Sequence, residues 1–326
     1  MTRSTTMSHY STWMSASMAE AARLRHREIE PEHLLLGLIA QGGTAARLLG
    51  SHGVTLARAR AAVDELADAD LATVGIHLPD GLRPAPLSPA DLHTGTDHGR
   101  LRLSSGSEAL VERGSGPTTT SLEALRALTS GNGPASRLLQ HLEVDLTDLR
   151  LQLETACAQG AAPAEPHAGR PRTTQDYAAY GLDRVLYAER FVSAPPSELA
   201  ALLGDPESLR LWAVSGKDVV EQRDDGIVER QTSRRGTVLM RWRLEDRQEG
   251  RVVWSCTMAS GRYDGTTGFV RDIRLVAAPG GTLVHLSLAH RTFGRLGPVA
   301  YRLSWRWTRL GLEHALISIA RAVAGS

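Results

Sequence analysis

The spacing of apolar residues changes near the middle of the chain, and this change limits the fold more than any other feature. Before about residue 158, apolar side chains recur every three or four positions, as on one face of a helix. After about residue 182, they alternate with polar side chains in short runs separated by turn signals. The two periods predict two domains, one helical and one built mainly from strands.

A stretch rich in Ala, Pro and Gly separates the two parts. Residues 159–175 contain few large apolar side chains, which is typical of a linker. We therefore expect a helical domain at residues 1–158 and a second domain at residues 176–326, each folding independently. Another stretch rich in Pro and Gly, residues 75–106, predicts a long loop inside the helical domain.

The runs in the second domain are joined by short turns, for example Gly280-Gly281. Short turns favour an antiparallel meander over parallel strands joined by helices. A long helical pattern, about residues 297–323, follows the last run. This order predicts an α+β domain in which an antiparallel sheet curves around a long C-terminal helix. The expected strands are 184–193, 217–223, 227–234, 238–247, 252–262, 268–277 and 283–292.

Composition and charge exclude several classes of protein. The formal net charge is +1, so no overall positive charge attracts nucleic acid. Lys217 is the only lysine among the 37 basic residues, and no Walker-type loop surrounds it, so ATP hydrolysis is not expected. Cys157 and Cys256 are too few for a disulfide framework or a cysteine-rich zinc site. We expect neither a metal ion nor another cofactor.

Arginine supplies nearly all of the basic charge, and Asn132 is the only asparagine, a bias that indicates a GC-rich bacterial genome. No apolar run reaches 18 residues, so no membrane span is expected. The first ten residues lack the apolar core of a secretory signal. The sequence therefore predicts a cytoplasmic protein.

The helical part contains an internal repeat with a period of about ninety residues. Residues 43–49 read GTAARLL and residues 133–139 read GPASRLL, and a further helical pattern follows each copy. The run REIEPEHLLLGLI at residues 27–39 precedes the first copy. This run resembles the signature of the Clp amino-terminal domain, a double repeat of short helices. The resemblance covers roughly residues 8–158.

The resemblance implies a docking role. In the Clp family this domain recruits adaptors and substrates to an unfoldase, and in some members one acid per repeat holds a phosphorylated arginine. The implied acid here is Glu32, next to His33, while Ser121 stands at the place assigned to the second acid. The alternative for Glu32 is an ordinary acid in a first helical turn, stabilised by the helix dipole. Clp amino-terminal domains also resemble the receptors of cyclic-peptide antibiotics. The expected partners are therefore a Clp-type unfoldase, its substrates or a cyclic peptide.

The order of elements after residue 182 resembles the helix-grip superfamily (SRPBCC), which includes START-like lipid-binding proteins and polyketide cyclases. Its members hold an apolar ligand between the sheet and the C-terminal helix, so the resemblance implies a pocket for an apolar small molecule. Arg271 shares a strand face with apolar residues, where it would meet a ligand carboxylate or enolate. The expected pocket residues are Met240, Trp242, Trp254, Met258, Arg271, Tyr301 and Trp305.

Each pocket residue has a structural alternative. Tryptophans fill a core as readily as they wall a ligand, and Arg271 in an arginine-rich chain is readily a surface residue. Of His285 and His290, only one lies on the pocket face if the strand is regular. Asp272 is expected to point outward. No set of serine, histidine and acid appears as a motif, so no catalytic residue is expected.

The sequence leaves three functions open. The first is a non-catalytic binding protein, either an adaptor or a sequestering protein that confers antibiotic resistance, with an apolar small-molecule pocket. The second is a polyketide cyclase or aromatase with a Clp-like docking domain. The third is a regulator whose contact with a Clp partner changes when a ligand binds. The first is preferred because no residue set indicates catalysis.

Overall fold

The computed structural model describes residues 3–77, 101–114, 120–159, 173–214, 218–233, 236–248, 250–294 and 297–325. Most of the expected loop at 75–106, most of the expected linker at 159–175, and Lys217 lie outside these ranges. A helical half ends at Ala158, and a half built on one sheet begins near Arg184. The predicted fold class, helical repeats followed by an antiparallel sheet with a long C-terminal helix, is confirmed.

The described part of the helical half begins with one long helix, and the later helices include two matching sets of three. In each matching pair the first residues are ninety positions apart, so the internal repeat seen in the sequence is present in the structure. The helices are α1 (Arg3–Arg23), α2 (Pro31–Ala40), α3 (Thr44–Ser51), α4 (Leu56–Thr73), α5 (Ser105–Gly114), α6 (Ser121–Thr129), α7 (Pro134–His141) and α8 (Leu146–Ala158).

Helix α2 is the centre of this half because it is apolar on nearly every side. The indole Nε1 of Trp13 in α1 donates a hydrogen bond to the carbonyl oxygen of Leu34 in α2, at 2.8 Å. Gly37 lies so close to α1 that a Cβ atom there would be 2.3 Å from Ser17 Oγ. Each large apolar side chain buried in such a core contributes about 1.5–3 kcal/mol. The absence of a side chain at Gly37 lets α1 and α2 approach each other closely at this position.

A short parallel pairing joins the beginnings of the two repeats. Strand β1 (Glu28–Ile29) pairs with strand β2 (Arg102–Leu103), and the Ser104 amide donates to the Ile29 carbonyl at 3.2 Å. Helix α5 then begins at Ser105. The loop expected at 75–106 therefore ends before Arg102. The predicted end at residue 106 is therefore too late, because a two-residue strand held by backbone pairing has no apolar periodicity in the sequence.

The described strands of the second half form one antiparallel sheet with the order β3-β9-β8-β7-β6-β5-β4. Each strand from β4 to β9 pairs with its neighbour in the chain, as the short turns predicted. Gly250 and Gly280 form turns with φ of 76° and 73°, which glycine adopts without strain. The strands are β3 (Arg184–Val192), β4 (Val219–Arg223), β5 (Gly226–Ser233), β6 (Gly236–Gln248), β7 (Arg251–Met258), β8 (Thr267–Ala278) and β9 (Gly281–His290).

Helix α11 (Gly297–Ala324) packs against one side of this sheet, which we call the inner face. Leu312, Leu316 and Ile319 are buried there at the spacing of one helical face. The earlier turns are more exposed, and Trp307 keeps 75% of its surface accessible. Two short helices, α9 (Pro196–Leu203) and α10 (Leu209–Trp212), connect β3 to β4 and pack beside α11.

Part of the opposite side of the sheet is covered by a 3-10 helix, Thr174–Tyr180, which packs near Val253 and Val270. The hydroxyl of Tyr177 donates to Asp272 at 3.1 Å, and Arg251 donates to both carboxylate oxygens of Asp272 at 3.0 and 2.9 Å. Asp272 is only 1% exposed. Asp272 points away from the inner face as predicted, yet it forms a buried ion pair with Arg251, because residues 174–180 lie over it.

The two halves contact each other through hydrogen bonds from the first repeat. The amide of Gly43 donates to the carbonyl of Phe191 at 2.8 Å. The amide of Leu56, at the start of α4, donates to Ser193 Oγ at 2.9 Å. The end of β3 and the connection to α9 therefore lie directly on helices α3 and α4.

Two arginines reinforce this contact. Arg190 of β3 donates through Nε to the carbonyl of Gln41 at 2.8 Å, and burial lowers its pKa to about 10. Arg60 of α4 pairs with the buried carboxylate of Glu20 and also donates to the carbonyl of Ala324 at the end of α11. The helical half thus contacts both the sheet and the last turn of the long helix.

Candidate functional site

The inner face brings together the strand residues expected to line a pocket. Met240 lies opposite Met258, and Trp242 lies opposite Cys256, on the paired strands β6 and β7. Trp254 is on the same face of β7. Met240, Trp242 and Trp254 are buried, and Met258 is half-buried. The alternation read from the sequence therefore places all four predicted residues on one surface.

The two tryptophans differ in what their indole N–H groups contact. Nε1 of Trp254 donates to the carbonyl of Leu203 at 2.8 Å and so holds the end of α9 against the sheet. Nε1 of Trp242 is buried and has no partner at hydrogen-bond distance among the described residues, although Glu229 lies near enough to be influenced by it. By these contacts Trp254 is a core residue, whereas the indole N–H of Trp242 interacts with Glu229 only beyond hydrogen-bond distance.

Arg271 extends into the same region from β8. Its guanidinium carbon lies 4.9 Å from the ring centre of Trp242, 5.6 Å from that of Trp212 and 5.8 Å from that of Phe269. Burial lowers the pKa of Arg271 to about 10, which still leaves it charged at neutral pH. One of its terminal nitrogens is buried without a partner, and no described residue forms a hydrogen bond or ion pair with it. Of the two possibilities for Arg271, the structure places it inside.

Two further polar groups near this arginine are buried without a partner at hydrogen-bond distance in the described structure. They are Nε1 of Trp212 and both ring nitrogens of His290. The His290 ring packs against Tyr301, with centres 5.0 Å apart, and burial lowers its pKa. His285 lies on the other face, where its Nδ1 is 3.4 Å from Glu189 Oε2. As expected, only one of the two histidines enters the inner face.

An acid and a thiol complete the polar residues of this region. Glu229, on β5 opposite Met240, is 4% exposed, and burial raises its pKa. Its Oε1 accepts a hydrogen bond from Gln231 Nε2 at 2.9 Å. Cys256 is fully buried, and burial raises the pKa of its thiol well above the usual value. A protonated thiol is a poor nucleophile, so this cysteine is suited to packing.

Accessibility differs between the two ends of the inner face. Ile273 and Leu286, toward the first repeat, are completely buried against the second half of α11. Phe269, Arg271 and Leu288, toward the beginning of α11, keep part of their surface accessible. The apolar core therefore fills one end, and the unpartnered polar groups are at the other.

Some of these residues were missed or misplaced by sequence reasoning. Trp212 lies in the four-residue helix α10, where no strand period applies, and Glu229 looked like one polar position in an alternating strand. Tyr301 does reach the inner face through its contact with His290. Trp305 does not join the cluster on the inner face: it is 40% exposed, with the Arg306 guanidinium 6.0 Å from its ring centre.

In the helical half, His33 is a capping residue. It is 0% exposed, and its Nδ1 accepts a hydrogen bond from the Glu30 amide at 2.8 Å. Its Nε2 is 2.9 Å from Nδ1 of His26. Burial, followed by the charges of His26 and Arg23, lowers the pKa of His33 to about 3. The predicted contact of His33 with a peptide would therefore require this cap to open. Glu32 is half-buried, and burial raises its pKa.

The first residues of helices α2 and α6 align the two repeats differently from the alignment that paired Glu32 with Ser121. Glu30 and Thr120 are the N-cap residues of α2 and α6, so Glu32 corresponds to Leu122 and not to Ser121. Leu122 is buried in the core. The second repeat therefore lacks the acid, as expected, but the residue at that place is an apolar side chain that offers no hydrogen-bond acceptor.

A groove of about 450 Å³ lies between the two halves. Arg60 lines it, but this cation is already paired with Glu20 and with the end of α11. The groove thus lacks the unused polar groups found on the inner face. Other residues that line it are Leu56, Ser193, Pro196, Gly280 and Val323.

Among the described residues, no group of three or more His, Cys, Asp or Glu residues is placed to hold a metal ion. No single described helix has the length and apolar character needed to cross a membrane, although α2 and α3 pass that test together as a pair bent by 98°. Helix α2 is almost entirely buried within the helical core.

Comparison with known proteins identifies the beginning of the chain. Residues 8–76 match the family model of the Clp repeat (R) N-terminal domain. The ATP-dependent Clp protease ATP-binding subunit ClpA homolog of Guillardia theta is 32% identical over 135 residues, which is 41% of this chain and 15% of that protein. Chaperone protein ClpC2, chloroplastic, of Oryza sativa subsp. japonica is 30% identical over 176 residues, 52% of this chain and 17% of that protein. The chain spans about a sixth of the length of these relatives.

Solved structures are similar to about two fifths of the chain. The Mll3558 protein of Rhizobium loti has 21% identity and a TM-score of 0.33, covering 41% of this chain and 96% of that one. The TTHA0849 protein of Thermus thermophilus has 19% identity and a TM-score of 0.32, covering 43% and 97%. Residues 8–76 of this protein thus form a Clp repeat N-terminal domain, and the chain continues into a half made of an antiparallel sheet and a long helix.

Proposed function

We propose that this protein is a non-catalytic binding protein, in which a Clp-type domain for peptides or proteins is joined to a half that holds a small apolar molecule. The observation that supports this most directly is a set of side chains with buried nitrogens that have no hydrogen-bond partner among the described residues: Trp212, Arg271 and His290. An unpaired buried polar group costs about 1–3 kcal/mol, and native proteins keep few of them. A bound molecule would satisfy several at once.

The chemistry of the inner face favours binding over nucleophilic catalysis. Cys256 is protonated at neutral pH, and His290, the histidine on this face, has no acid at hydrogen-bond distance among the described residues. A nucleophile needs a base within hydrogen-bond reach to be activated. The aromatic rings and half-buried apolar side chains are instead the usual lining of a ligand site.

The Clp-type domain supplies the proposed protein contact. The relatives named above are a chaperone and an ATP-binding subunit of a protease, and we propose that this domain recognises the same class of partner: a Clp-type unfoldase, its substrates, or a cyclic peptide. Hydrogen bonds from Gly43 and Leu56 join the domain to the sheet half. The two binding functions are therefore proposed to act in one physical unit, either as an adaptor or as a sequestering protein that protects its host from an antibiotic.

The small-molecule part can be tested with N-phenyl-1-naphthylamine, an apolar probe whose fluorescence rises in apolar surroundings. We expect it to bind the full-length protein and quench tryptophan emission. Trp242→Ala should weaken binding by about 1–3 kcal/mol, the loss that follows truncation of a large contact. Trp307→Ala, at an exposed position on α11, is the matched control and should leave affinity unchanged. Loss of stability in Trp242→Ala with unchanged affinity would assign this ring to the core.

The Clp-type part can be tested with phosphoarginine and with a cyclic peptide. If Glu32 holds a guanidinium, Glu32→Ala should weaken phosphoarginine binding roughly ten- to hundredfold, the effect of a lost charge-assisted bond of about 1.5–3 kcal/mol. Glu154→Ala, an exposed acid on α8, should have no effect. A cyclic peptide bound by apolar contact should be indifferent to both changes. If neither ligand binds at micromolar concentration, the adaptor and sequestration proposals both fail.

Arg271 supports one alternative, a polyketide cyclase or aromatase with a Clp-type docking domain. A cation inside an apolar site stabilises an enolate, which is the charge that develops in such cyclisations. Incubating the full-length protein with a poly-β-ketone thioester and analysing products by mass spectrometry tests this. Aromatic products formed at rates above background, and lost in Arg271→Met, would favour the enzyme over the binding protein.

A further inference from the structure

We infer that the small molecule held on the inner face is an organic acid with a flat apolar body, and that its anionic group pairs with the guanidinium of Arg271. This inference rests on the proposed small-molecule function and adds the chemical class of the ligand.

The first step is the electrostatic state of Arg271. Arg271 keeps part of its surface accessible, but one terminal nitrogen of its guanidinium is buried. Burying part of a guanidinium has a free-energy cost unless an opposite charge or hydrogen bonds replace the lost hydration. The surrounding rings of Trp242, Trp212 and Phe269 replace part of it through cation–π attraction. They offer no acceptor, and the buried terminal nitrogen has no partner in the described structure.

The second step is that the protein does not supply the missing anion. Glu229 and Cys256 are the groups of opposite sign that act on Arg271 electrostatically. Neither forms an ion pair or hydrogen bond with it among the described contacts, and Glu229 instead accepts from Gln231. Both groups are shifted by burial toward their neutral forms. The positive charge is therefore left for something that is not part of the chain.

The third step is the shape of the complementary ligand. A guanidinium binds a carboxylate, sulfonate or phosphate through two parallel N–H donors, so one oxyanion satisfies it in a single contact. The three aromatic rings around Arg271 then contact whatever carries that group. Phe269 and Leu288 keep accessible surface at this end of the face. An aromatic or similarly flat acid matches both the charge and the walls.

The experiment uses two probes that differ only in the anion. 8-Anilinonaphthalene-1-sulfonate carries a sulfonate, and N-phenyl-1-naphthylamine has the same ring system without it. Both are titrated against the full-length protein by fluorescence. We expect wild type to bind the sulfonate roughly ten- to hundredfold more tightly, the range for a charge-assisted hydrogen bond. Arg271→Met should remove this preference while it changes the affinity for the neutral probe by less than about threefold.

Arg274→Met is the matched control. Arg274 lies on the same strand three residues later, opposite His285 and therefore on the other face, so its removal should change neither affinity. Glu229→Gln is a second variant that does not depend on how Arg271→Met folds. Glutamine has nearly the same shape and removes whatever negative charge the buried carboxyl retains beside Arg271, so this variant should bind the sulfonate at least as tightly as wild type, by up to several-fold, and leave the affinity for the neutral probe unaffected.

The outcomes separate the inference from the proposed function. If wild type binds neither probe, the small-molecule function itself fails. If wild type binds both probes equally, and neither Arg271→Met nor Glu229→Gln alters their ratio, the ligand is neutral and the inference is overturned while the proposed function stands. A preference for the sulfonate that survives Arg271→Met would assign the anion to another cation and would also overturn it.

Discussion

His33 and Glu123 perform the same task in the two repeats, ninety residues apart. The imidazole Nδ1 of His33 accepts a hydrogen bond from the Glu30 amide at 2.8 Å. The carboxylate of Glu123 accepts one from the Thr120 amide at 2.6 Å. Each thus closes a capping box at the start of a buried helix, which satisfies an amide that the helix leaves unpaired. One repeat uses an imidazole, whose pKa lies near neutral pH only in an unfolded chain, and the other uses a carboxylate.

The first prediction concerns acid stability. The pKa of His33 is lowered to about 3 in the folded protein, against 6.5 in an unfolded chain. Between these values only the unfolded chain takes up the proton, so the free energy of unfolding should fall as pH decreases through this window. The total loss over the whole window is on the order of 5 kcal/mol, at about 1.4 kcal/mol per pH unit. Urea unfolding followed by circular dichroism at pH 7, 6, 5 and 4 measures it.

His33→Gln isolates this effect. Glutamine preserves the capping geometry at this position but does not titrate. At pH 7 the free energy of unfolding of this variant should be about 1 kcal/mol lower than that of wild type, because the contact of His33 with His26 is lost. The free energy of unfolding should also depend less on pH than that of wild type. His77→Gln, at an exposed position, is the control. Identical pH slopes for all three proteins would show that His33 is not the group responsible.

The second prediction concerns the joint between the halves. Gly280 and Gly265 have nearly the same backbone, with φ of 73° and 74°. A Cβ atom on Gly280 would lie 2.4 Å from the Cα of Gly50 in α3, whereas one on Gly265 meets nothing within 4 Å. Both alanine variants incur about 1–2 kcal/mol of left-handed strain. For Gly280→Ala the free energy of unfolding should fall by roughly a further 1–3 kcal/mol, because the new methyl group forces the two halves slightly apart.

Thermal unfolding of both glycine variants gives the comparison. We expect Gly280→Ala to split the transition, with the helical half and the sheet half unfolding at different temperatures. Amide exchange at Gly43, which is bonded to Phe191 across the joint, should speed up in this variant and not in Gly265→Ala. Equal midpoints for the two variants would mean that the contact between α3 and the β8–β9 turn contributes nothing.

The third prediction distinguishes the two tryptophans of the inner face. Trp254→Phe leaves the carbonyl of Leu203 without its donor, so it should cost about 1–3 kcal/mol for the unpaired acceptor, in addition to the lost volume. Trp242→Phe removes a donor that has no partner at hydrogen-bond distance among the described residues, so its free energy of unfolding should fall clearly less. Chemical denaturation of the two variants measures the difference. A larger loss for Trp242→Phe would contradict the assignment of Trp254 as the core anchor.

The fourth prediction concerns the buried ion pair beneath the 3-10 helix. Asp272→Asn removes the negative charge to which Arg251 and Tyr177 donate hydrogen bonds, and it leaves the charge of Arg251 without its buried partner. The free energy of unfolding should therefore fall by about 3–5 kcal/mol. Asp246→Asn changes the more exposed partner of the same arginine and should cost less than about 1 kcal/mol. The tyrosine contact predicts that residues 174–180 detach in the first variant, which limited proteolysis would detect. Resistance equal to that of wild type would show that Asp272 does not hold this segment.

Local patterning determined much of this protein. The spacing of apolar residues, every three or four positions in helices and every second position in strands, is a local property of the sequence. It therefore determines which segments are helices and strands and which residues of a strand share a face. The placement of Met240 and Met258 on one face, and the separation of His285 from His290, follow from that alternation. The ninety-residue repeat was likewise visible in the chain itself.

Only the tertiary structure decided which faces are buried, because burial depends on what another segment places over them. Arg271 and Arg274 are three residues apart on one strand; α10 and the aromatic rings of neighbouring strands enclose the first, and the second lies on the opposite face. Asp272 became a buried ion pair because residues 174–180 lie over it. Alternation along a strand assigns a side chain to a face, and long-range packing then determines whether that face meets solvent, core or ligand.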